Sequence, residues 1–280
     1  MFLNVLHLEL NKAYHRLLPW VSLSVVAFIV LGVSTALFLY NMLVPGTHNV
    51  SSLTWPGCFV FGLNYAIGSS AWNSYGTYAL IIITGVIFAQ EYSWGTIRLW
   101  LSKGIARSEL FCAKGVLALC TALLIVGVCI VSVGLLSLFF SFQLQHSLQL
   151  DRLDVIQLLL AYIRTAYALL PYAALTLLLV VLSRSSMIAV GGAIAFSTII
   201  EPLLRSMAPR LGQIFAHGVF FLPSGLASTL ASQNYTLAHM QVEANALQPT
   251  QYQAILGVAC YTLLFFLLAL WKFRHQDMAK

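Results

Sequence analysis

The chain has 280 residues, of which 60% are hydrophobic and only 8% charged, and its mean hydropathy is +0.88. Soluble domains carry roughly 25% charged residues, so a water-soluble enzyme or a free nucleic-acid-binding domain is excluded and the composition is that of an integral membrane protein. Crossing about 30 Å of hydrocarbon takes about 20 apolar residues, which fits several spans into one transmembrane domain over residues 1–280 and leaves no room for a sizeable soluble one.

Residues 1–16 read as an amphipathic helix. Phe2, Leu3, Leu6, Leu10, Ala13, Tyr14 and Leu17 share one face of a helical wheel, and Asn4, His7, Glu9, Asn11, Lys12, His15 and Arg16 share the other, with Val5 and Leu8 off the pattern. This predicts a helix lying on the inner leaflet, with a disordered polar leader as the alternative. Pro19 then permits a change of direction into the first span. No basic stub, short apolar core and small-residue cleavage site marks a removable signal peptide.

Continuous apolar runs predict six helical spans, at Leu17–Val44, Ala71–Gln90, Cys112–Phe142, Val155–Leu182, Met187–Leu204 and Ala254–Phe273. The runs are two to three times the roughly ten residues of a barrel strand, so the expected class is all-α. With the N-terminus inside, ten basic residues fall on the cytoplasmic side (Lys12, Arg16, Arg98, Lys103, Arg107, Lys114, Arg184, Lys272, Arg274 and Lys280). Three fall outside (Arg152, Arg205 and Arg210). The positive-inside rule therefore predicts both termini in the cytoplasm. Trp20, Trp55, Trp72, Trp94, Trp100 and Trp271 sit at or near span ends, as interfacial rings do. The net charge of +6 is explained by topology and attraction to anionic lipid, so no nucleic-acid partner is expected.

Between the second and third spans, Glu91 to Lys114 forms a polar island. Trp94, Ile97, Leu99, Trp100 and Leu101, interleaved with Arg98 and Lys103, predict a short amphipathic helix at the inner surface, with bends at Gly95 and Gly104. An ordinary basic loop that only fixes topology is the alternative. Ser108 is the expected N-cap of the third span, with Glu109 in its first turn.

Farther on, Arg164 is the one basic residue inside a span, and Glu201 lies near the outer end of the fifth, beside Pro202. The two either pair across helices four and five, or Arg164 snorkels outward while Glu201 meets headgroups. From 205 to 253, the stretch Leu211 to Leu230 is too apolar for a solvated loop and holds Pro223 and Gly225 in its middle. It predicts a re-entrant pair of short helices, against a surface helix with no gating role.

Cys112, Cys120, Cys129 and Cys260 lie in spans and are expected to pack as small apolar groups, while Cys58 faces the outside. No close Cys or His pair predicts a metal site, and the seven histidines are assigned no chemistry. A nucleophile elbow, a phosphate loop and paired intramembrane carboxylates are all missing, so an enzyme is not expected. Asn49 and Asn234 match the glycosylation pattern and are read as chance.

Glu91, Gly95, Thr96, Arg98, Arg107, Ser108, Glu109 and Lys114, together with the six-span layout and the interfacial N-terminal helix, resemble the membrane subunit of ABC-2 type transporters. Many members have proline near Gly104 or Ile105, and this chain has none. The resemblance implies a permease without an ATP site of its own, whose ATP and Mg are bound by partner ATPase subunits. It also implies pairing with a second permease copy or a paralogue. Residues 1–16 would then be an elbow helix, and 91–111 a coupling loop in which Glu91, Trp94, Gly95, Thr96, Ile97, Arg98, Trp100, Lys103 and Arg107 meet the ATPase. Leu182 to Met187 would add a second touch point, and Pro223 and Gly225 would belong to an outer gate. The function it implies is export across a bacterial inner membrane of amphipathic or lipid-like cargo. An ion-coupled secondary transporter and a non-transporting membrane scaffold are the rival expectations.

Overall fold

The computed structural model describes residues 2–43, 57–67, 74–102, 104–145, 154–238 and 248–276. Among these every regular element is helical. In chain order they are α1 (Phe2–Tyr14), α2 (Leu17–Leu43), α3 (Cys58–Ile67), α4 (Tyr75–Ser93), α5 (Thr96–Ser102), α6 (Arg107–Gln145), α7 (Val155–Ser183), α8 (Ser186–Ala195), α9 (Glu201–Leu211), α10 (Gln213–Val219), α11 (Pro223–Ser232) and α12 (Gln251–Arg274). A π-helical turn, Phe196–Ile200, joins α8 to α9, and a 3-10 turn, Gln233–Ala238, follows α11.

Among the described residues five helices are long and apolar enough to cross a membrane: Leu17–Tyr40, Arg107–Phe140, Val155–Ser183, Ser186–Ala208 and Gln251–Arg274. The expected second span begins at residues 71–73, outside the described residues, and continues as α4, which is not among the five. Thr77, Thr84, Gln90 and Glu91 dilute its apolar character. Its position explains why that is tolerated: α4 packs against α2, α3, α6, α7 and α8, so little of it needs to face lipid.

Local sequence sets the helix ends. Asp154 caps α7 by accepting from the amides of Ile156 (3.0 Å) and Gln157 (3.3 Å). Thr250 and Gln253 form a reciprocal capping box at the start of α12. Pro19 falls in the first turn of α2, where no amide proton is needed, and the chain turns at His15–Arg16. The third span starts at Arg107, so Ser108 is already helical and is not its N-cap; Glu109 is in the first turn as expected.

Three tyrosines hold α7 at the centre of the bundle. Tyr162 donates to the Leu123 carbonyl on α6 (2.8 Å), Tyr167 to the Ile255 carbonyl on α12 (2.7 Å), and Tyr172 to Glu201 on α9 (2.7 Å). A spacing of five residues rotates each by about 140° from the last, so one helix reaches three neighbours.

Two expectations change here. Cys58, assigned to the outside segment between the first two spans, is packed and not solvent-exposed: it opens α3 and is 1% exposed, in the main core with Phe59 and Leu63. Of α1, the stripe Val5, Glu9 and Ala13 turns toward the bundle, while Leu3, Leu10 and Tyr14 face outward, as does Leu17 at the start of α2. Val5 is thus a packing contact and not a flaw in the wheel, and Glu9 is buried and not solvated.

Candidate functional site

At one end of the bundle, which we call the terminal end, α1, the last turn of α4, the first turns of α6 and the end of α12 come together. Here α1 places Glu9 and Lys12 one turn apart on its inner side, α4 contributes Glu91 and α6 contributes Lys114. Lys114 Nζ donates to Glu91 Oε1 at 2.6 Å and to Glu9 Oε2, and Lys12 Nζ donates to the same Glu91 oxygen. Lys12 also lies 3.9 Å from Glu9. Glu9, Glu91 and Lys114 are buried and Lys12 is about a quarter exposed.

The quartet has no net charge, and every carboxylate has a cation. Such a cluster stabilises little by itself, because desolvation offsets the attraction. Its consequence is mechanical: removing one member strands the others, so three helices must move together or break the cluster. Among the described residues Glu9 Oε1 and Glu91 Oε2 find no hydrogen-bond donor. Beside the quartet Arg16 donates to Gln90 Oε1 (3.1 Å), and its guanidinium lies 5.2 Å from the Trp94 ring centroid.

From this cluster hangs the polar island. Gly95 (φ +64°) and Gly104 (φ +80°) bracket α5 in a conformation that favours glycine. The Thr96 hydroxyl donates to the Glu91 carbonyl at 3.4 Å. Of the predicted apolar anchors Trp94, Ile97 and Trp100, only Trp94 stands clear of the core, at 62% exposure, joined by Leu99 at 61%. Ile97 is 1% exposed and belongs to the chain's own core, with Trp100 half-buried against it. Arg98 lies on α5, and Lys103 falls outside the described residues.

Arg107 is likewise spent inside the chain, donating to the carbonyls of Arg274 (2.8 Å) and Gln276 (3.0 Å). Gln276 is a knot: its amide donates to the Val181 carbonyl (3.2 Å) and its oxygen accepts from Tyr92 (3.2 Å). The bend after α7 is made by Arg184 in the left-handed region, φ 53°. Glu91 and Ile97 are thus buried within this chain, while Arg107 is partly exposed and bonded to its C-terminal residues.

At the opposite, distal end, of the two readings of Arg164 and Glu201, the pair is not formed among the described residues. Glu201 is buried, its Oε2 accepting from Tyr172 (2.7 Å) and its Oε1 from the Ser224 amide (3.1 Å). Arg164 is eight residues before Tyr172 on α7, about 12 Å along the axis, and is partly exposed. Leu222 precedes α11 and offers no capping oxygen, so Glu201 caps that helix from another part of the chain, with favourable charge at the N-terminus. Pro223 takes the first turn of α11. At Gly225 a Cβ would collide with the Phe220 carbonyl. Two short helices, α10 and α11, thus do occupy Leu211 to Leu230; residues 239–247 of the expected outer segment lie outside the described residues.

An apolar cavity of about 330 Å3 lies between α6, α7 and α12, bounded by Gly115, Leu119, Leu170, Thr262 and Phe266. Among the described residues no group of His, Cys, Asp and Glu is disposed to hold a metal ion. Sequence reasoning singled out Glu91 and Lys114 as single motif positions and missed Glu9, Lys12, Tyr172 and Ser224. The signal for the first two was present: an acid and a base one turn apart in an amphipathic helix that otherwise pairs apolar and neutral polar faces.

No curated protein matches the chain. Residues 61–279, which take in α4 through α12 and both polar clusters except the contribution of α1, match the family described as protein of unknown function (DUF2705), and the chain belongs to that family.

Proposed function

We propose that the chain is the membrane-spanning permease subunit of an ATP-driven ABC-2 type exporter. The observation that carries this reading is the buried Glu9–Lys12–Glu91–Lys114 quartet: it fastens an N-terminal helix to α4 and α6, the two helices from which the short, surface-lying α5 is suspended. A push on α5 is then transmitted to α1, α4 and α6 as one body. A loop that served only to fix topology would have no need of this fastening.

In this reading α1 is the elbow helix on the inner leaflet, with Leu3, Leu10, Tyr14 and Leu17 toward lipid. Spans two and five are α4 and the continuous α8 to α9, giving six crossings with both termini in the cytoplasm of a bacterial inner-membrane protein. The pair α10 and α11 forms a re-entrant cap on the outer side. ATP and Mg bind to cytoplasmic ATPase partners, and the subunit works beside a second copy or a paralogue. The cargo is amphipathic or lipid-like, in keeping with the apolar cavity between α6, α7 and α12.

The docking face is revised by the burial pattern. Trp94 and Leu99 carry the apolar contact, with Arg16 stacked on the former, whereas Ile97 supports α5 from behind. Purification in mild detergent together with the products of neighbouring reading frames is expected to recover an ATPase in equal stoichiometry. The paired change Trp94→Ala and Leu99→Ala is expected to weaken that association while leaving insertion and folding intact. A permease that exports in vesicles without any nucleotide-hydrolysing partner would falsify the assignment.

A further inference from the structure

Arg205 lies one turn beyond Glu201 on α9, close enough to act electrostatically on both Glu201 and Tyr172. Its Nε and Nη2 are shielded from solvent and, among the described residues, have no hydrogen-bond partner. These two nitrogens form the side-on edge of the guanidinium, the edge that grips two oxygens of one oxyanion at once. Leaving buried charged donors unmade is costly, so this edge calls for an acceptor.

Glu201 does not supply it. Both of its oxygens are already engaged, one by the Ser224 amide and one by the Tyr172 hydroxyl. The position of the edge suggests what does. From Ser186, where the span begins, to Arg205 is 19 residues (205 minus 186), or about 28 Å at 1.5 Å per residue. With a hydrocarbon core of about 30 Å, the Arg205 Cα comes near the far boundary, and its side chain leans back toward Glu201, within reach of a headgroup phosphate drawn down to it.

We propose that the side-on edge of Arg205, beside the Glu201–Tyr172–Ser224 cluster, is a binding site for a phosphate oxyanion, borne by a phospholipid headgroup or free in solution. Glu201 balances the charge of Arg205, so selection rests on two-point geometry and not on excess positive charge. Lysine, a point charge, cannot replace that geometry. The site requires only that α8 to α9 span the membrane; it does not depend on an ATPase partner.

The full chain, purified in mild detergent, tests this with four proteins: wild type, R205K, R205Q and R210Q. Arg210 is exposed on the same helix and controls for loss of one charge. Native mass spectrometry is expected to show one retained phospholipid in wild type and R210Q and about tenfold less in R205K and R205Q, the loss of a charge-assisted bond. R205K keeps the charge and carries the test if R205Q fails to fold. Calorimetric titration of the delipidated protein with inorganic phosphate separates the sources: saturable, Arg205-dependent binding without lipid retention assigns the site to free phosphate. Lipid retention equal in all four proteins, with no Arg205-dependent phosphate binding, overturns the proposal.

Discussion

The two buried polar clusters make opposite use of charge. At the terminal end two carboxylates and two ammonium groups from α1, α4 and α6 close on one another, and each carboxylate has a cation. At the distal end one carboxylate is saturated by uncharged donors from α7 and α11, and the guanidinium one turn away keeps its bidentate edge unpaired among the described residues. The first cluster locks helices together and pairs both of its cations, although Glu9 Oε1 and Glu91 Oε2 find no donor among the described residues. The second positions α11 and keeps a cation in reserve. Burial alone therefore does not mark a binding site; what separates the two clusters is whether the buried cation finds an acceptor within the chain.

The largest test of this contrast is Lys114→Met. It leaves two buried carboxylates, Glu9 and Glu91, to share the single partly exposed cation of Lys12 and is expected to cost about 3 kcal/mol, read as a loss of thermal stability in detergent-based size exclusion. Adding Glu9→Gln and Glu91→Gln should recover much of it; no recovery would mean the lysine acts by packing and not by charge. Next comes Gly225→Ala, which drives a methyl group into the Phe220 carbonyl and should cost about 1–3 kcal/mol by displacing α11. Disulfide trapping between cysteines placed on α11 and α12 would report the displacement.

Smaller still is Tyr172→Phe. It removes one donor from Glu201 and is expected to cost about 1–2 kcal/mol. If the distal cluster positions α11, adding it to Gly225→Ala should be non-additive; strict additivity would separate the tyrosine from the helix cap. The smallest effect on stability belongs to Trp94→Ala, below about 0.5 kcal/mol as for an exposed site, whereas Ile97→Ala at the buried position should cost about 2–4 kcal/mol. Equal melting temperatures for those two variants would break the assignment of inner and outer faces to α5.

Much of the helix layout was legible because apolar runs of span length have few other uses. The ends of α2, α7 and α12 fall within a few residues of the runs that predicted them, and Gly95 and Gly104 take positive φ at both predicted bends. The helix α3 was not legible: its ten residues are too short for a span and sit between segments rich in turn-forming residues. On each of α1 and α5 one inward-facing residue was not legible, Glu9 and Ile97. A wheel separates apolar from polar residues, but in a membrane the apolar face can meet lipid, and a polar stripe such as Glu9 and Lys12 can meet the protein interior.

By itself, then, the sequence determined the solvent of this protein, the approximate limits of most of its long helices, and where the chain bends, since these follow from local composition and backbone sterics. Only the tertiary structure decided the partners: Glu9 and Lys114 are 105 residues apart in the chain, and Glu201 and Ser224 are 23 apart. Periodicity carries no information about which distant helix will neutralise a charge, so the coupling of α1 to α4 and α6, and the open edge of Arg205, emerge only when the helices are packed.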